Sequence, residues 1–344
     1  MSKMLLQLVI ALVVSFSLIP NNLFAVEPFY EGKTVNIIVG LSAGGGYDLY
    51  ARTIARHLGK HIPGRPAVIV SNMPGAGSMV AANQLYKATK PDGLTIGHIS
   101  GNIILNQIFK QPGIEFDAQK FEYIGSPLME DIVVLLRKSR GITSIESWLN
   151  AKTPVKLGGV APGTTYTDNA PRILAAALGL PIKPVSGYKG TAEIRLAVES
   201  GELDGVCLTW DSAATTWRRG LDTGDVMVVL QVVPKALPQL PSVPLAINLA
   251  KTDEGRKLIE TGMHKTFLFS RPFVLPPGTP KDRVEILRNA FRDTLIDKEL
   301  LEETKVSKLG FNPVHGDDLE KVIKGFFKTD PAILDKVKEL IYRK

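Results

Sequence analysis

The chain has 344 residues, of which 44% are hydrophobic and 22% are charged, so its composition is that of a globular protein. This length is enough to bury one large core or two medium ones. The formal net charge is +7, but lysine and arginine alternate with aspartate and glutamate, without a basic tract. The composition excludes a disordered chain, and the charge pattern speaks against a nucleic-acid partner.

The first 25 residues have the pattern of a secretory signal peptide. Lys3 gives a short positive region, residues 4–19 are largely apolar, and Ala25 supplies a small residue at a cleavage site. An uncleaved membrane anchor is the alternative, but the apolar stretch is shorter than the roughly 20 residues that span a bilayer. We therefore expect cleavage after Ala25 and export to the periplasm.

Cys207 is the only cysteine, and it lies in an apolar stretch. We expect a buried, unreactive thiol rather than a nucleophile. An exported protein of this size without disulfides fits a bacterial periplasm. The five histidines lack the spacing of metal ligands, and no nucleophile–base motif stands out. The sequence predicts no metal, no cofactor and no catalytic residue, and a monomer is the simplest expectation.

Strand and helix patterns alternate regularly in the first half of the mature chain. Apolar runs of strand length lead into glycine-rich turns and then into apolar residues at helical spacing. The order strand–helix–strand–helix–strand predicts a parallel sheet with helices on both faces. We predict strands over 34–40, 68–70 and 94–99 and helices over 46–58 and 78–88.

The same alternation begins again in the second half, which indicates a second lobe built in the same way. Asp211 or Ser212 is expected to cap the helix that follows its third strand. We predict strands over 155–159, 182–185 and 205–210 and helices over 167–178 and 191–200.

Two places in the chain have neighbouring extended runs without a helix between them, and these are the predicted crossings between the lobes. They contain residues 121–136 and 267–275. We therefore predict an α/β fold of two lobes, each a mainly parallel sheet flanked by helices, joined by a two-strand hinge. The first lobe is expected to comprise 26–127 and 265–344, and the second lobe 128–264.

Glycine-rich turns follow the first strand of each half. Residues 44–46 are three consecutive glycines, and Asp48 stands in the first turn of the helix that they open. Glycines let the backbone approach a guest closely, and unpaired N–H groups at a helix start attract anions. A tight structural turn is the alternative for any one of these segments. Because a second such turn follows in register at 72–77, the pattern favours an anion-binding site.

Six short motifs occur in one order along nearly the whole mature chain. The first reads Val-Gly-x-x-Ala-Gly-Gly-Gly-x-Asp and the second Asn-x-Pro-Gly-Ala-Gly; together the six span 39–48, 72–77, 91–95, 187–190, 201–204 and 276–280. With these motifs the chain resembles the periplasmic solute-binding proteins of tripartite tricarboxylate transporters, also called Bug receptors. The resemblance implies a two-lobed Venus flytrap of type II-like architecture. It also implies a ligand carboxylate held by backbone amides of both lobes.

Carried onto this chain, the resemblance and the turns imply one binding site with contributions from both lobes. Trp210 and Asp211 end a strand at the expected cleft edge, where two interpretations stay open: both shape the pocket, or Trp210 belongs to the core and Asp211 caps a helix. Tyr47 stands where the family commonly has threonine, so a standard citrate receptor is not implied. The candidate ligand-binding residues are Ala43, Gly44, Gly45, Gly46, Tyr47, Asp48, Asn72, Gly163, Thr164, Thr165, Tyr188, Lys189, Gly190, Thr191, Trp210 and Asp211.

The expected function is capture of a small carboxylate and its delivery to a membrane permease. The resemblance implies a permease with one large and one small membrane subunit. Two other functions use the same cleft: a ligand sensor that docks onto a receptor kinase, and an exported enzyme. The lack of a nucleophile–base pair among the glycine turns speaks against the enzyme.

Overall fold

The computed structural model describes residues 28–41, 43–44, 46–160, 162–163, 165–188, 190–307 and 309–342, without the side chains of 306 and 307. The predicted signal peptide therefore lies outside the described residues. Within these ranges, no helix combines the length and the hydropathy that crossing a bilayer requires.

Eleven strands of the described chain form two sheets. In chain order the strands are β1 Thr34–Val39, β2 Ala67–Asn72, β3 Thr95–His98, β4 Glu122–Ser126, β5 Ile132–Arg137, β6 Val155–Gly158, β7 Ile182–Val185, β8 Gly205–Thr209, β9 Val226–Gln231, β10 Phe273–Leu275 and β11 Val314–His315.

The two sheets follow the same plan, which confirms the predicted α/β architecture. The first sheet has the order β11-β4-β10-β3-β1-β2, and the second has the order β7-β6-β8-β5-β9. β1 pairs in parallel with β2 and β3, as β6 does with β7 and β8. In each sheet, the strand that follows a crossing is inserted antiparallel to its neighbours: β10 between β3 and β4, and β5 between β8 and β9. The sheets are therefore mixed.

Helices cover both sheets. They are α1 Gly46–Leu58, α2 Met79–Lys87, α3 Asn102–Ile108, α4 Ile145–Leu149, α5 Tyr166–Leu178, α6 Thr191–Glu199, α7 Trp210–Thr216, α8 Arg218–Thr223, α9 Ala246–Leu249, α10 Asp253–Ile259, α11 Lys265–Leu268, α12 Lys281–Leu295, α13 Lys298–Ser307, α14 Gly316–Phe326 and α15 Pro331–Tyr342. A π-helical turn, Glu260–His264, joins α10 to α11.

The apolar spacing read from the sequence explains how α1 packs. Ala51, Ile54 and Leu58 recur at helical spacing, and all three are buried. They share a cluster with Val35 and Leu287, so α1 packs between β1 and α12. This packing fixes the start of α1, at Gly46, beside the carboxyl end of β1. Cys207 is buried and free, as predicted.

Three local expectations differ from the structure. Phe267 and Leu268 were expected to be extended, but they end α11, because this segment continues the helix that begins at Asp253. The helix α7 is capped by Thr209, whose Oγ1 accepts from the amide of Ser212, so neither Asp211 nor Ser212 is the cap. The two crossing segments are shorter than the predicted 121–136 and 267–275: they are residues 127–131, between β4 and β5, and residues 269–272, between α11 and β10.

The final helix connects the two lobes. α15 packs against α5, although the predicted boundaries place these helices in different lobes. The Tyr342 hydroxyl donates to Oδ1 of Asn106, which lies on α3 beside the first sheet, at 3.0 Å. The strands divide between the sheets as the predicted boundaries imply, while the boundaries themselves stay a prediction.

Candidate functional site

A cavity of about 540 Å³ lies between the two lobes. Its walls include Leu41, Ser100 and Val160, which follow the carboxyl ends of β1, β3 and β6. The carboxyl edge of a parallel sheet, at the gap between two halves, is where α/β proteins bind ligands. The crossing segments and the π-helical turn complete the walls through Glu130, Arg271 and other residues.

Three helices of nine or more residues begin at this cavity. α1 and α5 have 13 residues each, and α6 has 9. The first N–H groups of a helix have no intrahelical partner and carry a partial positive charge, which favours an anion. The cavity-lining residues at these helix starts are Gly46, Tyr47, Thr165, Tyr166, Thr167, Gly190 and Thr191.

Arg271 brings a guanidinium group to the wall of the cavity. Its side chain is only 12% exposed, and Nε donates to Oε1 of Glu130 at 3.1 Å. The guanidinium lies 4.7 Å from the ring centre of Tyr47 and 5.2 Å from that of Tyr50. A guanidinium has five N–H donors. Among the described residues, the buried Nη1 has no hydrogen-bond partner.

Gly46 lets the start of α1 approach this guanidinium. A Cβ atom at position 46 would lie 3.0 Å from Nη1 of Arg271, tighter than ordinary van der Waals contact. The positive end of α1 and a buried cation therefore stand side by side. An anion in the adjoining cavity would therefore interact favourably with both groups.

Glu130 balances the charge of Arg271. Its side chain is 5% exposed, and Oε1 is occupied by the Arg271 contact. Burial raises the pKa of the Glu130 carboxyl, and the neighbouring guanidinium opposes that shift. We assign an ionised pair, because arginine does not lose its proton in proteins and its closest partner is this carboxyl group.

Tyr47 connects the first lobe to the second crossing segment. Its hydroxyl donates to the backbone carbonyl of Ser270 at 2.7 Å, and its ring contacts that of His98. Burial raises the pKa of Tyr47 to about 12. Burial also lowers the pKa of His98 to about 3, so this imidazole is neutral and donates from Nδ1 to the carbonyl of Pro272. These neutral rings hold the Arg271 segment in place.

Asp48 does not line the cavity but holds the glycine turn together. Its carboxylate accepts from the amide of Gly44 at 2.9 Å, from Nε of Arg52 at 3.0 Å and from Nδ2 of Asn72 at 3.0 Å. The Arg52 contact, opposed by burial, lowers the pKa of Asp48 to about 2. Asn72 also donates to the carbonyl of Leu41. Both residues therefore fix the turn that precedes α1.

A similar internal bond occupies the second-lobe turn. The amide of Gly163 donates to Oδ1 of Asn169 at 3.0 Å. Gly163 has a φ of +77°, and a Cβ there would clash with the ring of Tyr342. The hydroxyls of Thr165 and Thr167 are 2.6 Å apart at the start of α5, where both residues line the cavity. Threonine residues, rather than Gly163, therefore line the cavity here.

The structure brings five of the candidate residues together and separates the others. Gly46, Tyr47, Thr165, Gly190 and Thr191 line the cavity. Three candidates, Gly45, Thr164 and Lys189, lie outside the described residues. Five further candidates form or hold the two turns behind the cavity walls: Ala43, Gly44, Asp48, Asn72 and Gly163. Tyr188 donates to Glu202, and Trp210 packs on the second-lobe core. Asp211 lines a different cleft, beside Gly310.

Sequence reasoning missed the two charged residues of the cavity. Glu130 and Arg271 are 141 positions apart, so no local spacing relates them. A signal was present for Arg271, which is the single charge within the apolar predicted crossing 267–275, whereas Glu130 shares the crossing 121–136 with Glu122 and Asp131. Buried charges are rare unless they are paired, so the lone Arg271 indicates an acidic partner, without showing which one.

One group of side chains in the described ranges has the geometry of a metal site. His57, Asp297 and Glu299 offer ligand atoms within 4.8 Å of one another. Lys60 Nζ lies 2.9 Å from Oδ1 of Asp297 and 2.6 Å from Oε2 of Glu299. The ammonium group of Lys60 thus pairs with the two carboxylates that a metal ion would use. We interpret the cluster as an ion-pair network.

The two mixed sheets and the cavity between them define a solute-binding protein with the periplasmic binding protein fold. The chain belongs to the tripartite tricarboxylate transporter receptor family, because the model described as "Tripartite tricarboxylate transporter family receptor" matches residues 50–338. The resemblance read from the six motifs is thereby confirmed.

Relatives and solved structures agree with this assignment. A UPF0065 protein of Bordetella pertussis is 28% identical over 271 residues, which are 76% of this chain and 76% of the relative. The crystal structure of a TctC solute-binding protein from Polaromonas has a TM-score of 0.66 and 18% identity, and covers 89% of this chain and 99% of that chain. The structure of MatC from Rhodopseudomonas palustris with bound malate has a TM-score of 0.62 and 19% identity. It covers 90% of this chain and 99% of that chain. At such identities the structures show the fold alone.

Proposed function

We propose that this protein captures a small carboxylate in the cavity between its lobes and delivers it to a membrane permease. The observation that carries the proposal is the guanidinium of Arg271, which lines the cavity and whose Nη1 has no hydrogen-bond partner in the described part of the chain. A carboxylate presents two oxygens that a guanidinium binds side by side, so this wall fits an organic acid.

The other walls support the same ligand. The starts of α1, α5 and α6 line the cavity, and the lining residues there include Thr165, Thr167 and Thr191, whose hydroxyls can donate hydrogen bonds. Hydrogen bonds to a charged group contribute on the order of 1.5–3 kcal/mol each. The apolar residues Met263 and Phe267 line the remaining wall, so the body of the ligand has apolar contacts. Binding requires no covalent chemistry from any of these residues, so we propose a receptor rather than an enzyme.

The proposal places the mature protein in the periplasm, after removal of the predicted signal peptide. Membership in the receptor family supports a transporter as the partner, with the large and the small membrane subunit that the resemblance implies. Lobe closure around the ligand is the proposed signal for docking, since closure alters the relative positions of the two lobes. The malate held by MatC of Rhodopseudomonas palustris supports an organic acid as ligand.

A thermal-shift screen of carboxylates, followed by calorimetry on the hits, tests this function. We expect at least one mono-, di- or tricarboxylate to raise the melting temperature and to bind with one-to-one stoichiometry. Uncharged amides of the same acids serve as matched controls and are expected to have no effect. The proposal fails if no carboxylate binds, or if acids and their amides bind equally.

A further inference from the structure

We propose that the cavity selects carboxylates with a hydrogen-bond donor on the neighbouring carbon, an ammonium or a hydroxyl group. Arg271 binds the carboxylate, and Glu130 binds the donor. This inference rests on the function proposed above and names the ligand class of the same site.

The first step concerns the free oxygen of Glu130. Oε1 accepts from Nε of Arg271 at 3.1 Å, while Oε2 meets no donor among the described residues. The side chain is 5% exposed and lines the cavity. A carboxylate oxygen at such a wall is stable only with a hydrogen-bond donor, either water or a group of the ligand. A ligand that displaces this water must supply the donor itself.

The second step concerns charge. Arg271 and Glu130 cancel each other, and no other lysine, arginine, aspartate or glutamate lines the described walls of the cavity. A plain carboxylate bound at Arg271 therefore stands beside the negative charge of Glu130. Like charges in a buried site repel strongly. An ammonium or hydroxyl next to the ligand carboxylate turns this repulsion into an attraction.

The third step concerns the geometry of the pair. Glu130 and Arg271 lie on the two crossing segments and contact each other directly, so their free atoms are neighbours on one wall. A ligand with a hydrogen-bond donor on the carbon next to its carboxylate can bind both residues at once, with the carboxylate at Arg271 and the donor at Glu130. An ammonium is the stronger partner, because it adds charge attraction to the hydrogen bond. We therefore expect a ligand with an ammonium group on this carbon to bind most tightly, one with a hydroxyl group less tightly, and one with only hydrogen there least tightly.

Two ligand series of constant carbon skeleton test the order by calorimetry on the purified protein. Succinate, malate and aspartate differ only in the group on carbon 2. The acids 4-methylpentanoate, 2-hydroxy-4-methylpentanoate and leucine repeat the comparison on an apolar body. If the screen above finds a better carboxylate, its 2-amino, 2-hydroxy and unsubstituted forms make a third series.

We expect the ammonium ligand to bind at least about fivefold tighter than the unsubstituted acid in every series that binds, with the hydroxy acid between them. A smaller preference, or a preference for the unsubstituted acid, overturns the inference and leaves the carboxylate receptor standing. Complete lack of carboxylate binding instead overturns the proposed function and this inference with it.

A substitution ties the preference to Glu130. Glu130→Gln keeps an oxygen that accepts from Nε of Arg271 but removes the negative charge. We expect it to reduce the ammonium preference at least about fivefold. Asp131→Asn is the matched control, because Asp131 is the adjacent acid and does not line the cavity; it is expected to keep the preference. If folded Glu130→Gln keeps the full preference for ammonium ligands, the assignment of Glu130 as the partner of the ligand donor is wrong. If that variant does not fold, the ligand series alone decides the inference.

Discussion

The guanidinium of Arg271 contacts the carboxylate of Glu130 at 3.1 Å and thereby joins the two segments through which the chain passes between its lobes. The pair lies in the wall of the interlobe cavity. A ligand that binds the pair contacts both crossing segments at once. Under the proposed function, we therefore expect ligand binding to be coupled to the relative position of the lobes through the same two side chains.

Asp48 is expected to stabilise the fold rather than to contact the ligand. Its pKa is lowered to about 2 from 3.8, so its stabilising contribution is present above pH 3.8 and is lost as the pH falls towards 2. Asp48→Asn should reduce the free energy of unfolding at pH 7 by about 2 kcal/mol, since one pKa unit corresponds to 1.36 kcal/mol. Urea unfolding at pH 7 and near pH 2 measures this. If Asp48→Asn lowers the free energy of unfolding equally at pH 7 and near pH 2, the charge of Asp48 does not stabilise the fold.

Asp131 is expected to destabilise the protein at neutral pH. Burial, together with the nearby Asp211 and Glu130, raises the pKa of Asp131 from 3.8 to about 6. The folded state thus binds the Asp131 proton more tightly than the unfolded state does. The stabilisation that this proton gives is present below about pH 4 and is lost as the pH rises to about 6. Asp131→Asn should be more stable than the wild type at pH 7 by on the order of 1 kcal/mol, discounted for partial exposure. The gain should vanish at pH 4; a gain that persists there would refute this cause.

Gly46 is expected to matter for ligand affinity. The methyl group of Gly46→Ala would lie 3.0 Å from Nη1 of Arg271 and displace the guanidinium. We expect affinity to fall about fivefold, which corresponds to roughly 1 kcal/mol, while the fold is kept. Gly325→Ala is the matched control, because this glycine lies in α14 with no atom near the added methyl. It should raise stability by at most about 1 kcal/mol and leave affinity unchanged. Equal affinities in both variants would argue against the position of the site.

The bond between Tyr342 and Asn106 is expected to couple the lobes. The hydroxyl of Tyr342 donates to Asn106 across the interface of α15 and α3 at 3.0 Å. Tyr342→Phe should cost about 1 kcal/mol of unfolding free energy, the net value of one hydrogen bond. A double-mutant cycle with Asn106→Ala should show a coupling of at least about 0.5 kcal/mol. Additive losses would show that the bond does not contribute.

Local patterns predicted the elements that frame the cavity. The helix over 46–58 and the strand over 182–185 were placed with the bounds that the structure has. Both are bounded by glycine or proline and have regular apolar spacing, so short-range rules suffice. The same rules placed the starts of α1 and α6 where the cavity lies.

Roles that depend on distant partners were harder to predict. Asp48 was expected at the ligand, yet it binds Arg52, four residues further along α1, and Asn72 from the neighbouring strand. The Arg52 partner was visible as a helical i, i+4 pair. The pairing of Glu130 with Arg271 arises only when both crossings are folded side by side, and no sequence spacing encodes it. The end of the helical segment from Asp253 to Leu268 was assigned to a crossing because residues 267–269 form a continuous apolar run, which is also typical of a strand.

Calorimetry on a variant without the charged pair tests the central claim most directly. Replacing both Arg271 and Glu130 by methionine removes the pair without leaving an unpaired buried charge, so the fold is expected to survive. Since charge-assisted hydrogen bonds contribute about 1.5–3 kcal/mol, the best carboxylate should bind this double variant at least about tenfold more weakly than the wild type. Unchanged affinity in the folded double variant would show that the carboxylate binds elsewhere and would contradict the account.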